Sequence, residues 1–402
     1  MKIQVHAADE GGCGFYRMIW PAAAAARAGA DVELVLDGAL HMEVADRRGV
    51  KTVESVPAPD CDVLVLQRPL SRILTDAIPF IQDAGVAVVI ELDDDFQNIH
   101  RRNAAWKEVQ PNLSPDTNWT HLRRAIKMAD GFVCTSQALA DKYGVKGKTT
   151  VIPNYLPDAY RHVTVNEGMP MDGWKLGWSG SLATHPTDLE EAEPLVRAAL
   201  SEQYGGELHI LGTGVGVAEK LRLETEQVHA DTWVPLHEYP QAMALPHIGM
   251  VPLAKHPFNE AKSWLKGLEY AGAGVPFIAS PAAEYWRLFR EHGIGRVCKK
   301  PSDWQKHLRA LTASSDAWQH EAGQQREWAL ERMMIDQHAE RWIAAWFHAR
   351  ASFAAGFKGL AATECVTPKG TILRGDDMAA EAEAYTESKS DTHDGIQRVE
   401  GL

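Results

Sequence analysis

Short runs of consecutive apolar residues alternate along this chain with longer stretches of helical periodicity. In the first half, Ile3–His6, Val32–Leu36, Val63–Leu66, Val86–Leu92, Gly131–Cys134 and Thr150–Ile152 predict strands. Between them, Phe15–Ala28, Ser71–Gln82, Trp119–Ala129 and Gln137–Tyr143 predict helices. Strands apolar on successive residues are covered on both faces, as parallel strands are. Their alternation with helices predicts an α/β fold with a doubly wound sheet.

The pattern then restarts. Pro153 to Gly173 is rich in Pro, Gly and Asn and reads as a linker. Beyond it, Trp174–Trp178, Leu208–Leu211, Thr232–Val234, Ile248–Val251, Phe277–Ala279 and Gly295–Val297 predict strands. Helices are predicted over Asp188–Leu200, Lys262–Ala271, Ala283–Arg290 and Asp303–Thr312, followed by a Trp-rich helical run from Trp318 to Ala349. The expected organisation is a Rossmann-like domain at 1–165, a second at 170–325, a helix at 326–350 crossing back to the first, and a disordered polar tail at 351–402. A length of 402 residues agrees with two cores rather than one.

Composition narrows the function classes. Apolar residues make up 45% and charged residues 24%, the balance of a soluble globular protein. A formal net charge of −13 argues against general binding to a nucleic-acid backbone, which needs clustered cations. Cys13, Cys61, Cys134, Cys298 and Cys365 are far apart, so neither a zinc site nor a disulfide framework is expected. The chain opens directly on a strand, without the pattern of a signal peptide, and no apolar stretch approaches a membrane span; a cytoplasmic location is the expectation.

In open α/β sheets, ligands bind beyond the carboxyl ends of the strands, so the residues that follow each strand are the candidates. After the first strand, Gly11, Gly12 and Gly14 allow close backbone approach and lead into a helix whose free N–H groups suit an anion. A plain tight turn is the alternative. The spacing is not Gly-x-Gly-x-x-Gly, and Asp37 lacks the usual glycine context, so a nicotinamide oxidoreductase ranks last. After Leu92 stand Asp93, Asp94 and Asp95, three carboxylates whose mutual repulsion requires water, a cation or a polar ligand. Asp93 and Asp94 are candidate catalytic or acceptor-binding groups, with Asp95 in the acceptor loop; a solvated capping cluster is the alternative. Oxygen ligands there suit a divalent metal, although none is expected.

In the second half, Gly180 and Ser181 end a strand, and His185 with Asp188 leads into a helix, a second anion-accepting geometry. The string Asn259, Glu260, Ala261, Lys262, Ser263, Lys266, Glu269 and Tyr270 places Lys262 and Lys266 one turn apart on a predicted helix, with Glu269 three residues on. Two cations at a helix start oppose its dipole, a cost that a bound diphosphate would remove; a solvated amphipathic face is the alternative.

Taken in order, Val151-Ile152-Pro153-Asn154, Gly180-Ser181 with His185 and Asp188, the Asn259 to Tyr270 string and Gly274-Val275-Pro276 resemble family-four-type (group 1) retaining glycosyltransferases of the GT-B fold. The resemblance implies two Rossmann-like domains facing across a cleft and a nucleotide-sugar co-substrate (UDP- or GDP-sugar) without an obligatory metal. By the same resemblance, Glu269 is the ribose contact, and Lys262, Lys266, Gly180 and Ser181 hold the diphosphate. The family's sugar-contacting glutamate falls on Ala261, beside Glu260. The acceptor, whether lipid, polysaccharide, metabolite or protein, is not specified. Competing readings are a nucleotide-sugar epimerase on the same scaffold and a non-catalytic glycan- or nucleotide-binding protein.

Overall fold

The computed structural model describes residues 1–36, 40–166, 168, 173–201, 203–231 and 234–356. They form two compact α/β units. The first comprises Met1–Asn98, Trp106–Asn154 and the chain from Ile335, and the second Ile99–Ala105 and Tyr155–Met334.

The first unit is built on β1 (Lys2–His6), β2 (Asp31–Val35), β5 (Val63–Gln67), β6 (Ala87–Leu92), β7 (Gly131–Cys134) and β8 (Thr149–Val151). They form one parallel sheet in the order β2-β1-β5-β6-β7-β8. Every residue of β5, β6 and β7 is buried, which is why these strands read as continuous apolar runs. Strand order reverses at β1, making the carboxyl ends of β1 and β5 the switch point of this sheet.

A hairpin of β3 (Glu43–Arg47) and β4 (Val50–Ser55), not foreseen from the sequence, stands apart from the sheet. Its two-residue turn, Arg48 and Gly49, has positive φ at both positions (60° and 80°), as a tight hairpin requires.

The helix after β1 starts at Gly12 and runs to Arg27, with a π-helical stretch over Phe15–Ile19. Pro21 has no N–H to give to the Arg17 carbonyl, which accounts for the widened turn there. Helix Ala339–Ala354 packs on β6 and β7. It extends beyond residue 351, where the polar tail was expected to begin; residues 357–402 lie outside the described residues.

The second unit repeats the plan with β9 (Lys175–Ser179), β10 (Glu207–Leu211), β11 (Val228–Asp231), β12 (Ile248–Val251), β13 (Phe277–Ala279) and β14 (Arg296–Val297). All pairings are parallel, in the order β11-β10-β9-β12-β13-β14, the Rossmann order with its switch point between β9 and β12. Of the expected strand Thr232–Val234, Thr232 and Trp233 lie outside the described residues, and β11 ends just before them. Asp37 and Asp172 lie outside them as well. The core packs Trp174, Trp178, Trp304 and Trp318 with the aliphatic faces of β9, β10 and β12. Trp318 donates its indole N–H to the His247 carbonyl at 2.8 Å, satisfying a buried polar group.

Three predicted helical stretches are broken. The Trp318–Ala349 run, and with it the single helix expected at 326–350, divides into helix Ser315–Arg332, a 3-10 turn over Ile335–His338 and helix Ala339–Ala354. Asp188–Leu200 is a 3-10 turn over Leu189–Ala192 followed by helix Glu193–Ala199, with Pro194 in its first turn. Lys262–Ala271 is helical only over Leu265–Gly272; a separate turn, Pro257–Glu260, is capped by the His256 ring, which accepts from Phe258 N.

Candidate active site

At the carboxyl end of β9, four side chains from three elements converge. Lys266, in the first turn of helix Leu265–Gly272, directs its ammonium to the Tyr239 hydroxyl (2.8 Å), the Ser179 hydroxyl (3.2 Å) and Glu269 Oε2 (3.2 Å). Tyr239 opens helix Tyr239–Met243 and also donates to Glu269 Oε2 at 3.1 Å. Glu269 is 2% exposed at its side chain, against 38% for Lys266. Burial works to lower the Lys266 pKa, but the charge of Glu269 and the Tyr239 contact outweigh it and hold the ammonium protonated. Burial, reinforced by Glu269, pushes the Tyr239 hydroxyl up to about 12, so it remains a donor near neutrality.

Sequence reasoning identified Lys266 and Glu269 and missed Tyr239 and Ser179. Ser179 was legible as the last residue of the strand at the switch point, and Tyr239 as the residue before Pro240 at a helix start.

Lys262 does not share a helical face with Lys266. It lies in the irregular stretch before the helix, its ammonium 4.5 Å from the centre of the Phe258 ring. The buried Trp264 begins the helix only after this point, so a single cation remains in the first turn. Ser263 precedes the helix and accepts from Leu265 N at 3.4 Å. Glu260 is exposed.

The expected anion cradle at Gly180 is also altered. The Gly180 N–H is committed to the Leu211 carbonyl at 3.1 Å and is not available to a diphosphate. A side chain at Gly180 would meet the Trp178 indole at 2.9 Å, so this glycine is required for packing. Ser181 is buried, and its hydroxyl accepts from Ala183 N at 3.2 Å, closing the turn that leads to His185.

His185 and Asn259 meet on Asp188. His185 Nδ1 lies 2.8 Å from Asp188 Oδ2, and Asn259 Nδ2 donates to Asp188 Oδ1 at 2.6 Å and to the Ala254 carbonyl at 3.0 Å. Burial would raise the Asp188 pKa, yet the bonds from His185, Ala254 N–H and Asn259 outweigh it and keep the carboxylate ionised. Both N–H groups of the Asn259 amide are thereby spent on fastening the loop after β12, so they are not available to a donor.

In the first unit, the loop after β1 is organised by Asp9, whose Oδ1 accepts from Gly11 N (2.7 Å) and Gly14 N (3.2 Å). The chain's own carboxylate therefore takes the place expected for an external anion at these two amides. A side chain on Gly14 would come within 1.8 Å of the Asp9 carbonyl oxygen, whereas Gly12 has open space.

Asp9 Oδ2 pairs with Arg68 at 2.5 Å. Arg68 follows β5 at the switch point, with a positive φ of 35° that is strained for a residue with a side chain. Burial opposes the Arg68 charge, but Asp93, Asp9 and Asp94 more than compensate. Cys13 lies against Asp93, and burial, then this carboxylate, push its thiol pKa well up. Arg68 and Asp9 were not singled out from the sequence, although both follow strands at the sheet's switch point.

Asp93 and Asp94 are half-buried at this edge, and Asp95 differs from both. It is 2% exposed and receives Lys142 Nζ at 2.6 and 2.7 Å, the Tyr143 hydroxyl at 2.5 Å and Asn98 Nδ2 at 2.8 Å. That environment makes Asp95 a structural tie, not an acceptor-loop contact. No group of three or more metal-ligating side chains that could hold an ion occurs among the described residues. No helix among them is long and apolar enough to cross a membrane.

Residues 190–344 match the model of a family described as "Glycosyl transferase-like". No curated protein matches the sequence. Among solved structures, HepE of Anabaena in complex with UDP is similar at TM-score 0.56 and 16% identity, over 86% of this chain and 98% of that one. Sucrose-phosphate synthase of Thermosynechococcus elongatus is similar at TM-score 0.56 and 14% identity, over 88% and 100%. TarM of S. aureus is similar at TM-score 0.49 and 11% identity over 71% of this chain, which spans 54% of TarM's length. The two parallel sheets with their switch points and the whole-length likeness to HepE and sucrose-phosphate synthase show the GT-B fold of two Rossmann-like units, and residues 190–344 carry the likeness to the glycosyl transferase-like family.

Proposed function

We propose that the chain transfers a sugar from a nucleotide-diphosphate-sugar donor, UDP- or GDP-linked, to an acceptor hydroxyl with retention of configuration. The observation that carries this reading is the Lys266 ammonium, held beside Glu269 at the carboxyl end of β9 in the domain that matches the glycosyltransferase family. Breaking the sugar–phosphate bond puts negative charge on the departing diphosphate. A fixed ammonium there stabilises the transition state more than the ground state. Glu269 takes the ribose hydroxyls, and Lys262 joins Lys266 on the phosphates after leaving Phe258. His185 and Asn259 act through Asp188 by shaping the loops around the donor.

Asp93 and Asp94 are the carboxylates proposed for the acceptor hydroxyl, with Gly12 leaving room beside them. Arg68 offsets their mutual repulsion. The acceptor-binding role is assigned to the first unit and the donor-binding role to the second. No metal enters the reaction as proposed.

The test is a thermal-shift panel of nucleotide sugars followed by product analysis on candidate acceptors. A UDP- or GDP-sugar is expected to raise the melting midpoint, because it binds only the folded state. The HepE structure was solved with UDP, which puts UDP-sugars first in the panel. Isomerised donor in the absence of acceptor would replace transferase by epimerase, and binding without turnover on any acceptor would leave only a binding protein.

A further inference from the structure

The Lys266 ammonium has three N–H bonds and three acceptors: Tyr239, Ser179 and Glu269. Of these, only the Tyr239 hydroxyl touches every other member of the group, lying 2.9 Å from Ser179 Oγ and 3.1 Å from Glu269 Oε2. A hydroxyl on an apolar ring therefore bonds to the one carboxylate proposed to receive a ribose hydroxyl. The same hydroxyl helps hold Lys266, one of the two ammonium groups proposed to receive a phosphate. Tyr239 itself is fixed at the start of helix Tyr239–Met243, with Pro240 buried beneath it. Its position is set by the fold and not by the ligand.

We propose that Tyr239 is a positioning residue whose hydroxyl occupies the place of a ribose hydroxyl on Glu269 and holds Lys266 aligned for a pyrophosphate. When a nucleoside diphosphate enters, its ribose hydroxyl displaces the Tyr239 hydroxyl from Glu269. Lys266 then exchanges its bond to Glu269 for a phosphate oxygen while keeping Tyr239 and Ser179 as anchors. Two consequences follow for the Tyr239→Phe variant. The ribose no longer competes with a hydroxyl for Glu269, so nucleoside affinity is kept or improved. Lys266 loses an anchor, so the extra affinity that the two phosphates confer is reduced.

This inference rests on the proposed donor site, and the experiment separates the two. Calorimetry of UDP against uridine, and of GDP against guanosine, measures the phosphate increment directly as a ratio of affinities. Losing one charge-assisted anchor is expected to lower that ratio about tenfold in Tyr239→Phe. A role confined to folding would weaken nucleoside and nucleotide in parallel and leave the ratio unchanged, which overturns the inference. Ser179→Ala, which removes Lys266's other hydroxyl anchor without touching Glu269, should lower the ratio with nucleoside affinity unaltered. It serves as the test if Tyr239→Phe does not fold. A wild-type protein that binds neither diphosphate more tightly than its nucleoside removes the donor site itself, a different failure from an unchanged ratio in the variant.

Discussion

The three successive aspartates after β6 have identical chemistry and different surroundings, so single substitutions should separate their roles. In Asp95→Asn the side chain keeps its shape and loses its charge. Asp95 is 2% exposed and receives four hydrogen bonds, two of them from the Lys142 ammonium. A hydrogen bond to a charged group contributes about 1.5–3 kcal/mol. Lys142 is 23% exposed and can recover part of its loss from water, which limits the cost. The new amide also places an N–H donor against the donors of Lys142 or Asn98. The expected destabilisation is about 2–3 kcal/mol, roughly 4–12 °C in the melting midpoint of a unit of this size. Asp93→Asn and Asp94→Asn, half-buried at the sheet edge, should each stay within about 1 kcal/mol of wild type while losing transfer activity. Urea denaturation followed by tryptophan fluorescence, beside a transfer assay with saturating donor, reads both quantities. If Asp95→Asn keeps full stability and loses transfer, the distinction drawn between these carboxylates is wrong.

Three further outcomes are expected. Lys266→Ala should lower transfer by about 10²–10³, the scale for removing one preorganised charge-stabilising donor, with circular dichroism unchanged; wild-type turnover would refute the assignment. Gly14→Ala should disrupt the first unit, since its new Cβ would lie 1.8 Å from the Asp9 carbonyl oxygen, and normal expression and melting would show that the loop can move aside. Glu91 pairs with Arg17 in the core, at 2.6 and 2.8 Å, and burial pushes its carboxyl up to about 8 against the pull of that guanidinium. A carboxyl raised in the folded state contributes stability that is full below its unfolded value of 4.5 and is lost as pH rises through about 8. Stability measured by denaturant titration should therefore decline over that window in wild type and be flatter in Glu91→Gln; parallel profiles would refute it.

The central strands of both sheets were legible because they are covered on both faces, and burial of that kind writes continuous apolar runs into the sequence; the largely exposed β11 carries no such run and was expected at Thr232–Val234, later than it lies. The β3–β4 hairpin was not, because its exposed positions carry mixed polar residues and its turn uses Arg48-Gly49 in place of the usual Asn-Gly. Helix starts were misjudged where a bulky residue and not a polar cap sets the boundary, as Trp264 does before Leu265. Lys262 falls before that boundary and so outside the predicted pair. The Arg17–Glu91 ion pair joins residues 74 apart in sequence and leaves no local pattern. Asp95 could not be told from Asp93 and Asp94, because its partners, Lys142 and Tyr143, come from the helix after the next strand, more than forty residues on. In the candidate site, Lys266 and Glu269 were readable from spacing on one helix, whereas Tyr239 and Ser179 reach it from other elements.

The return of the chain to the first unit at Ile335 has a consequence for synthesis. Helix Ala339–Ala354 covers β6 and β7, and Gly131 lies so close beneath it that an added Cβ would be 2.8 Å from that of Ala349. The unit made first is thus finished last: nearly two hundred residues of the other unit leave the ribosome before its sheet receives that cover. Until then a hydrophobic sheet face stays bare, which makes the nascent chain a client for chaperones and makes premature termination before Ala339 a route to aggregation.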